Sequence, residues 1–360
     1  MGGKILRGLL AFAGFLVLVA AIALAYRGWR QSENARVLSI RTPNGIEEAE
    51  YVRLGGIDQW IQIRGEDRSN PVLLFVHGGP GSSESPMSSL LRPWEKYFTV
   101  VMWDQRDAGK TFARNGAVRD MSIARVAQDG IELTEFLRRH LHQNKIVVLG
   151  HSWGTMVGIR MVKERPDLFS AYVGTGQVVS IAEKEPVIYA RTIARLRATR
   201  DDAGIRALEK IGPPPYKSAS DLLTERRWSA RHDIPSERDL YSTMTPVVLF
   251  APGWSLWDVY EFLQAPKAAE AATFDADASY DARSLGSKFE VPFFIFNGAL
   301  DNITPSDLAK RYFDAIQAPV KQFVLLNGAG HSAVLTEPDI FLRNLVARVR
   351  PVAVQGQLQH

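Results

Sequence analysis

The stretch Ile146-Val147-Val148-Leu149-Gly150-His151-Ser152-Trp153-Gly154-Thr155 decides the fold. Four residues of buried-strand type run into a G-x-S-x-G pentapeptide. A helical pattern from Thr155 to Glu164 follows and stops before Pro166. A serine in so tight a strand-to-helix turn is lifted clear of the sheet, at a helix N-terminus that favours developing negative charge. Positions 150 and 154 call for glycine, because a side chain at either would collide with neighbouring chain. The plain alternative is a Gly-Ser turn that only starts a helix, and the ends of the other strands decide between the two.

Working outward, Ala49 to Leu54 and Trp60 to Arg64 read as a hairpin around Gly55-Gly56. Pro71 to Val76, Phe98 to Trp103, Lys145 to Leu149 and Ala171 to Thr175 are short apolar runs of buried-strand type. Ser122 to His140 has helical periodicity, with Ile123, Val126, Ala127, Ile131, Phe136 and Leu137 facing inward. This alternation predicts a mostly parallel sheet with helices on both faces. It stops at Val178. From there to Lys288 the pattern is helical and irregular, broken at Pro213-Pro214-Pro215, with Trp228, Trp254 and Trp257 along it. Strands resume at Val291 to Asn297 and Lys321 to Leu326. The expected organisation is a first core part over 31–177, a helical cap over 178–288, a second core part over 289–350 and a frayed tail over 351–360.

A serine hydroxyl needs an adjacent base. Of seven histidines, His331 lies in Gly328-Ala329-Gly330-His331-Ser332, just past the strand ending at Leu326. Loops at the carboxyl ends of parallel strands are where ligands bind. Asp301 follows the strand ending at Asn297, and Asp307 is its weaker rival. The order Ser152, Asp301, His331 is that of the α/β-hydrolases. The transition state also needs donors for an oxyanion. The Trp153 N–H, next after the nucleophile, is one; His77-Gly78-Gly79-Pro80-Gly81 follows a strand and supplies the other, with Gly79 favoured over Gly78. His77 reads as a structural hydrogen-bonding residue. Position 152 is serine, which excludes the aspartate nucleophile of epoxide or haloalkane hydrolases.

The chain has 360 residues, 46% of them apolar and 23% charged, which suits a folded core domain plus an insertion. The net charge of +4 is spread along the chain, with no basic-aromatic tract of the kind that tracks nucleic acid. The absence of cysteine excludes disulfides, zinc–thiolate sites and a cysteine nucleophile. Gly8 to Tyr26 is apolar and uncharged, about long enough for one bilayer crossing of ~20 residues. Residues 1–30 are therefore expected to be a membrane anchor, favoured over a signal peptide cut at Ala23-Leu24-Ala25 or a buried soluble helix. An extracytoplasmic placement is favoured. Gln31 to about Gly45 reads as a polar linker.

HGGPG at 77–81, Trp103-Asp104-Gln105-Arg106-Asp107-Ala108-Gly109-Lys110-Thr111, and GHSWG together resemble the proline iminopeptidases among the α/β-hydrolases, over about residues 45–350. The resemblance implies the α/β-hydrolase fold: an eight-stranded, mostly parallel sheet flanked by helices, with a helical cap. It implies release of an N-terminal residue, usually proline, from small peptides, without metal or other cofactor. Its triad falls on Ser152, Asp301 and His331, and its oxyanion donors on Gly79 and Trp153. Trp254-Ser255-Leu256-Trp257-Asp258 resembles the family's W-S-x-W-E segment, which makes Asp258 the expected anchor for the substrate amine, with Glu261 behind it and Trp257 beside it. Asp107 stands where the family has glycine; if that position needs positive φ, Asp tolerates it better than most residues. Two other readings remain open at this point. One is a membrane-associated carboxylesterase or amidase on small or lipophilic substrates. The other is a non-catalytic hydrolase-like binding protein, against which the intact set Ser152, Asp301 and His331 argues.

Overall fold

The computed structural model describes residues 2–118 and 120–358. Its centre is an eight-stranded sheet in the order β1-β2-β4-β3-β5-β6-β7-β8. The strands are β1 Ile46–Leu54, β2 Ile57–Gly65, β3 Val72–Val76, β4 Thr99–Trp103, β5 Ile146–His151, β6 Phe169–Thr175, β7 Phe293–Gly298 and β8 Lys321–Leu326. The β1–β2 hairpin and its junction with β4 are antiparallel, and every pairing from β4 to β8 is parallel. β3, β4, β5, β6 and β7 are buried along their whole length, as strands covered on both faces must be.

Alternation along each strand divides the core into two layers. Leu74, Val76 and Val148 face α3 (Ile123–His140) and α4 (Trp153–Glu164). Leu73, Phe75, Val147 and Leu149 face Trp94 and Phe341 on the other side, where those two rings stack 5.6 Å apart. Ser122 caps α3 by accepting from the Arg125 N–H at 3.1 Å. The D-Q-R segment pins the hairpin to this layer. Arg106 donates to both oxygens of Asp129 on α3, at 2.5 and 3.1 Å, and to the Gly55 carbonyl at 3.1 Å. Asp107 has φ 59°, the left-handed conformation that the family's glycine suggested, and it accepts from the Val118 N–H at 2.9 Å. After it comes α2, Gly109–Asn115.

Between β6 and β7 stand α5 (Ile181–Ala198), α6 (Asp202–Ile211), α7 (Ala219–Arg231), α8 (Pro235–Leu249) and α9 (Leu256–Asp277). They form a cap with a small core of its own around Val248, Ala251, Trp254 and Phe262. After β7 come α10 (Ser306–Ala315), α11 (Ala333–Thr336), α12 (Pro338–Asn344) and α13 (Arg350–Leu358).

Two terminal expectations are corrected. The polar stretch after Gln31 is not a linker at its start: α1 runs unbroken over Gly2–Leu38. Its last third docks on the cap, with Arg27 donating to the Leu249 and Trp254 carbonyls and Gln31 to those of Ala251 and Trp254. Polar side chains here serve a helix whose partner is a row of carbonyls at the end of α8 and in the turn after it, a role that apolar periodicity does not reveal. Nor is 351–360 a frayed tail throughout. Ala353 of α13 is buried, and the Gln357 side chain accepts from the Asn144 N–H at 2.9 Å. Gln359 and His360, the end of the expected tail, lie outside the described residues.

Candidate active site

Three strand ends converge on one point. At the end of β5 the chain reverses through Ser152, whose φ of 53° and ψ of −121° are a strained conformation for a residue with a side chain. Such a backbone costs on the order of 1–3 kcal/mol and persists only where its surroundings over-determine it. Here the flanking glycines do so. A Cβ on Gly150 would come within 2.6 Å of the Gly154 carbonyl oxygen, and one on Gly154 within 2.1 Å of that of Val76. The strain points Ser152 Oγ at His331, whose Nε2 lies 2.9 Å away.

His331 sits in the loop after β8, and its Nδ1 is 3.1 Å from each oxygen of Asp301, in the loop after β7. Asp301 also accepts from the N–H groups of Ile303 and Thr304, at 2.9 and 2.7 Å, and from Thr304 Oγ1 at 2.6 Å. Burial alone would raise its pKa, but His331 and these donors outweigh burial and hold it below the ordinary carboxylate value. An ionised Asp301 fixes Nδ1 as the protonated nitrogen and leaves Nε2 free to take the serine proton. Asp307 is exposed and pairs with Arg311 at 3.1 Å, apart from this set.

The glycine loop after β3 closes over the serine. A Cβ on Gly78 would lie 3.1 Å from that of Ser152, so only glycine brings the loop this close. Gly79, at φ 121°, and Trp153 both line the cavity beside Ser152. His77 is buried and ties the loop down: its Nδ1 donates to the Gly78 carbonyl at 2.8 Å while its Nε2 accepts from the Gln105 N–H at 3.2 Å.

The sequence reading missed two carboxylates in this shell. Glu84 meets His151 Nδ1 at 2.6 Å, and the His151 ring lies 5.2 Å from that of His331. Burial works against a charged His151, yet Glu84 outweighs it and the net shift is upward. Glu237, from α8 of the cap, accepts the Ser332 N–H at 2.7 Å and packs against Gly330. A cap helix thus grips the loop that carries His331. Nothing in sequence spacing links position 237 to 332.

Above Ser152 lies a cavity of about 840 Å³, largely apolar, with Met87, Met156, Phe262 and Phe274 in its lining. Its wall also holds charges: Lys184 and Glu185 of α5, Arg226 of α7, and Glu270 and Asp277 of α9. Lys184 pairs with Glu185, and Arg226 bridges Glu185, at 2.5 Å, to Glu225. Burial raises the Glu185 pKa, but the two cations outweigh it and bring it down to about 2. Two cations thus face two carboxylates, Glu185 and Glu225. Of the other acids in the lining, Glu84 meets His151, Asp233 accepts from the Asn302 side chain and Asp275 is exposed, so Glu270 and Asp277 are the remaining less exposed acids, with no ion-pair partner among the described residues. Asp277 Oδ2 accepts from the Trp153 indole at 2.8 Å, and burial holds this carboxyl above its ordinary value. Among the described residues Glu270 has no hydrogen-bond or ion-pair partner, and burial pushes it up to about 7.

The residues expected to hold the substrate amine are elsewhere. Asp258, Glu261 and Trp257 do not line the cavity. Asp258 closes the N-terminus of α9: it accepts from the Ser255 N–H at 2.7 Å while its own N–H donates to Ser255 Oγ at 3.0 Å. Its other neighbour is Lys110, at 3.7 Å. An S-x-x-D capping box explains that aspartate without any ligand. Trp257 is exposed and donates its indole N–H to the Ala113 carbonyl.

A family model for the alpha/beta hydrolase fold matches residues 71–208. A probable aminopeptidase of Bacillus subtilis (strain 168), YbaC, is 28% identical over 310 residues, covering 82% of this chain and 94% of the relative. A proline iminopeptidase of Lactobacillus delbrueckii subsp. bulgaricus is 26% identical over 294 residues, covering 80% of this chain and 92% of the relative. The crystal structure of a proline iminopeptidase of Mycobacterium smegmatis superposes with a TM-score of 0.58 at 18% identity, over 86% of this chain and 99% of that one.

Proposed function

We propose that this chain, an α/β-hydrolase of proline iminopeptidase-like kind, is a serine aminopeptidase that releases N-terminal proline or another small residue from peptides through an acyl-enzyme. The observation that carries this reading is the pairing, in one cavity, of Ser152 and His331 at 2.9 Å with a wall carboxyl, Glu270, that has no hydrogen-bond or ion-pair partner among the described residues. Ser152 Oγ attacks the carbonyl of the first residue as His331 Nε2 takes its proton. Asp301 orients the imidazole and stabilises its cationic form. The N–H groups of Gly79 and Trp153 receive the oxyanion, a contribution worth about 3–4 kcal/mol per donor. His331 returns the proton to the leaving amine, and water then hydrolyses the acyl-enzyme along the same path.

An aminopeptidase substrate carries an ammonium one residue from the attacked carbonyl. Burying it unpaired costs several kcal/mol, so the wall must answer it. Glu270 and Asp277 are the remaining acids there, and the indole bond from Trp153 to Asp277 ties that carboxylate to the residue beside the nucleophile. They replace Asp258 and Glu261 as the amine anchors. α1 serves as an uncleaved anchor that holds the enzyme on the extracytoplasmic side of a membrane; full-length protein is then recovered with membranes after carbonate extraction.

A second reading, a membrane-associated esterase or amidase, draws on the largely apolar lining and on α1, whose side chains from residue 3 to 26 are all exposed. Parallel assays on prolyl-arylamide, N-acetylprolyl-arylamide and a short acetate ester decide between them. The aminopeptidase reading expects the free amine to be cleaved and the acetylated form to be refused. Equal rates on both amides, or turnover of the ester alone, give the esterase reading its place.

A further inference from the structure

α1 leaves the cap at a defined level. From Gly8 to Tyr26 it spans roughly 28 Å, close to the ~30 Å hydrocarbon core of a bilayer. None of its side chains over that span is buried against the rest of the protein. At its lower end come Tyr26 and Trp29, their rings 5.7 Å apart, and the cations Arg27 and Arg30. Amphipathic rings and cations at the end of an apolar helix mark the membrane–water interface. Three of these four residues, Tyr26, Arg27 and Arg30, are where α1 meets the cap, while Trp29 is exposed. Arg27 is bonded to the carbonyls of Leu249 and Trp254, Tyr26 packs edge-on against Phe250 at 5.8 Å, and Arg30 lies over the Phe250 ring. The 249–254 turn is therefore fixed at the depth where the helix crosses the interface.

α9 begins two residues beyond that turn, and it presents large apolar side chains to the outside. Leu256, Tyr260 and Leu263 are 49%, 53% and 62% exposed, at a spacing that puts them on one helix face. Trp257 stacks on Tyr260 beside them, and exposed Lys267 continues the stripe. A row of this kind in water is costly, and aromatic, leucine and lysine side chains on one face suit the headgroup region of a bilayer. Leu263 is exposed and also lines the cavity, so the cavity reaches the surface within this stripe.

We propose that the outer face of α9, from Leu256 to Lys267, docks on the bilayer that α1 enters, so that the cavity opens against the membrane surface. The occupant is the lipid headgroup layer. Two fixed points, the α1–cap junction and the α9 stripe, define the plane on which the domain rests. Substrates that partition to that surface, such as amphiphilic peptides or acyl compounds, then reach Ser152 without crossing bulk water.

The chain has no cysteine, so single cysteines can be introduced and spin-labelled without background. Full-length Leu256→Cys, Tyr260→Cys, Leu16→Cys and Lys310→Cys are labelled in vesicles of phosphatidylcholine and phosphatidylglycerol, and collisions with oxygen and with a water-soluble nickel chelate are measured. Lys310 lies on α10, beside the last strand of the sheet and away from the β1–β2 edge. Labels at 256 and 260 are expected to be at least threefold less accessible to nickel than the label at 310, and that at 16 to be the deepest. Labels at 256 and 260 as nickel-accessible as that at 310, with 16 deep, overturn the docking while leaving the anchor. A label at 16 open to nickel overturns both. Labelling of Ser152 by a fluorophosphonate in each variant reports that the fold is intact.

Discussion

The floor of the cavity and its wall are built differently. On the floor, Ser152, Asp301 and His331 each stand within five residues of a strand end, and the sheet register sets those ends side by side. In the wall, Lys184 and Glu185, Arg226, and Glu270 come from three helices that share no hydrogen-bonded ladder, and their meeting depends on how those helices cross. A sheet transmits position through backbone bonds that repeat along every strand. Helices transmit it through side-chain packing, which tolerates many solutions. Chemistry common to many hydrolases can therefore rest on the floor, while the selection of substrate rests on the wall.

The largest effect is expected at the floor. Ser152→Ala is expected to lower kcat by about a million-fold on peptide and ester substrates alike and to abolish fluorophosphonate labelling, because triad members act as a unit. The melting temperature should change little, since alanine keeps the Cβ and with it the backbone strain, and the loss is one hydrogen bond to His331. Turnover within tenfold of the parent would refute the nucleophile assignment.

In the wall the effect must discriminate between substrates. Removing one partner of a buried charge pair typically costs about 3–5 kcal/mol, so Glu270→Gln is expected to depress kcat/KM for prolyl-arylamide by at least about a hundredfold and to spare the acetate ester. The pH dependence separates the two regions further. Burial raises Glu270 to about 7, so it is ionised in the fold only above that pH. The ratio of kcat/KM for the amide to that for the ester should rise with pH through about 7, and Glu270→Gln should flatten it. Stability moves the other way. A carboxyl whose pKa is raised by folding favours the fold below its ordinary value, and that advantage is lost as pH rises through about 7. Melting temperatures between pH 4.5 and 7.5 should therefore fall less in Glu270→Gln than in the parent. A ratio that is flat in the parent would remove Glu270 from amine recognition.

What the sequence made legible follows the same division. The strand runs, the glycines around Ser152 and the order of Ser152, Asp301 and His331 are local patterns, each readable from a window of about ten residues. The positive φ of Asp107 was legible too, since a family glycine had marked it. Glu84, Glu237 and Glu270 gave no signal. Each is an acid whose partner or cavity lies dozens of residues away, and an isolated glutamate on a helix reads as a solvated face. Asp258 misled because a family motif and a capping box share the same letters: in Ser255-Leu256-Trp257-Asp258 the carboxylate serves the helix end.

Besides the Trp153–Asp277 bond, a second contact joins floor to cap. Glu237 reaches from α8 to the Ser332 N–H, next to His331, and a hydrogen bond to a charged group is worth about 1.5–3 kcal/mol. Glu237→Ala should release the loop and lower kcat by about ten- to a hundredfold on amide and ester equally, with KM little changed. Glu237→Gln, which keeps an acceptor oxygen, should recover most of the loss. If only the amide responds, Glu237 belongs to substrate recognition instead, and the division between floor and wall lies elsewhere.

The smallest effect is expected at Asp258, the amine anchor that the family resemblance implied. Asp258 spends its carboxylate on Ser255 at the start of α9 and does not line the cavity. Asp258→Asn keeps one acceptor oxygen for the Ser255 N–H and removes the charge opposite Lys110. Loss of a helix cap costs about 0.5–2 kcal/mol, and the amide should retain part of it, so the melting temperature should drop by only a few degrees. Any change in kcat/KM should stay within about threefold and be the same for prolyl-arylamide and the acetate ester, since the proposed anchors of the substrate ammonium are Glu270 and Asp277 and not this helix end. The double variant Asp258→Asn with Glu270→Gln tests independence, because sites without shared partners add. Additive losses would keep Asp258 in the scaffold. A hundredfold loss confined to the amide in Asp258→Asn alone would mean that α9 shifts its N-terminus toward the cavity when substrate binds, and would return the amine to Asp258.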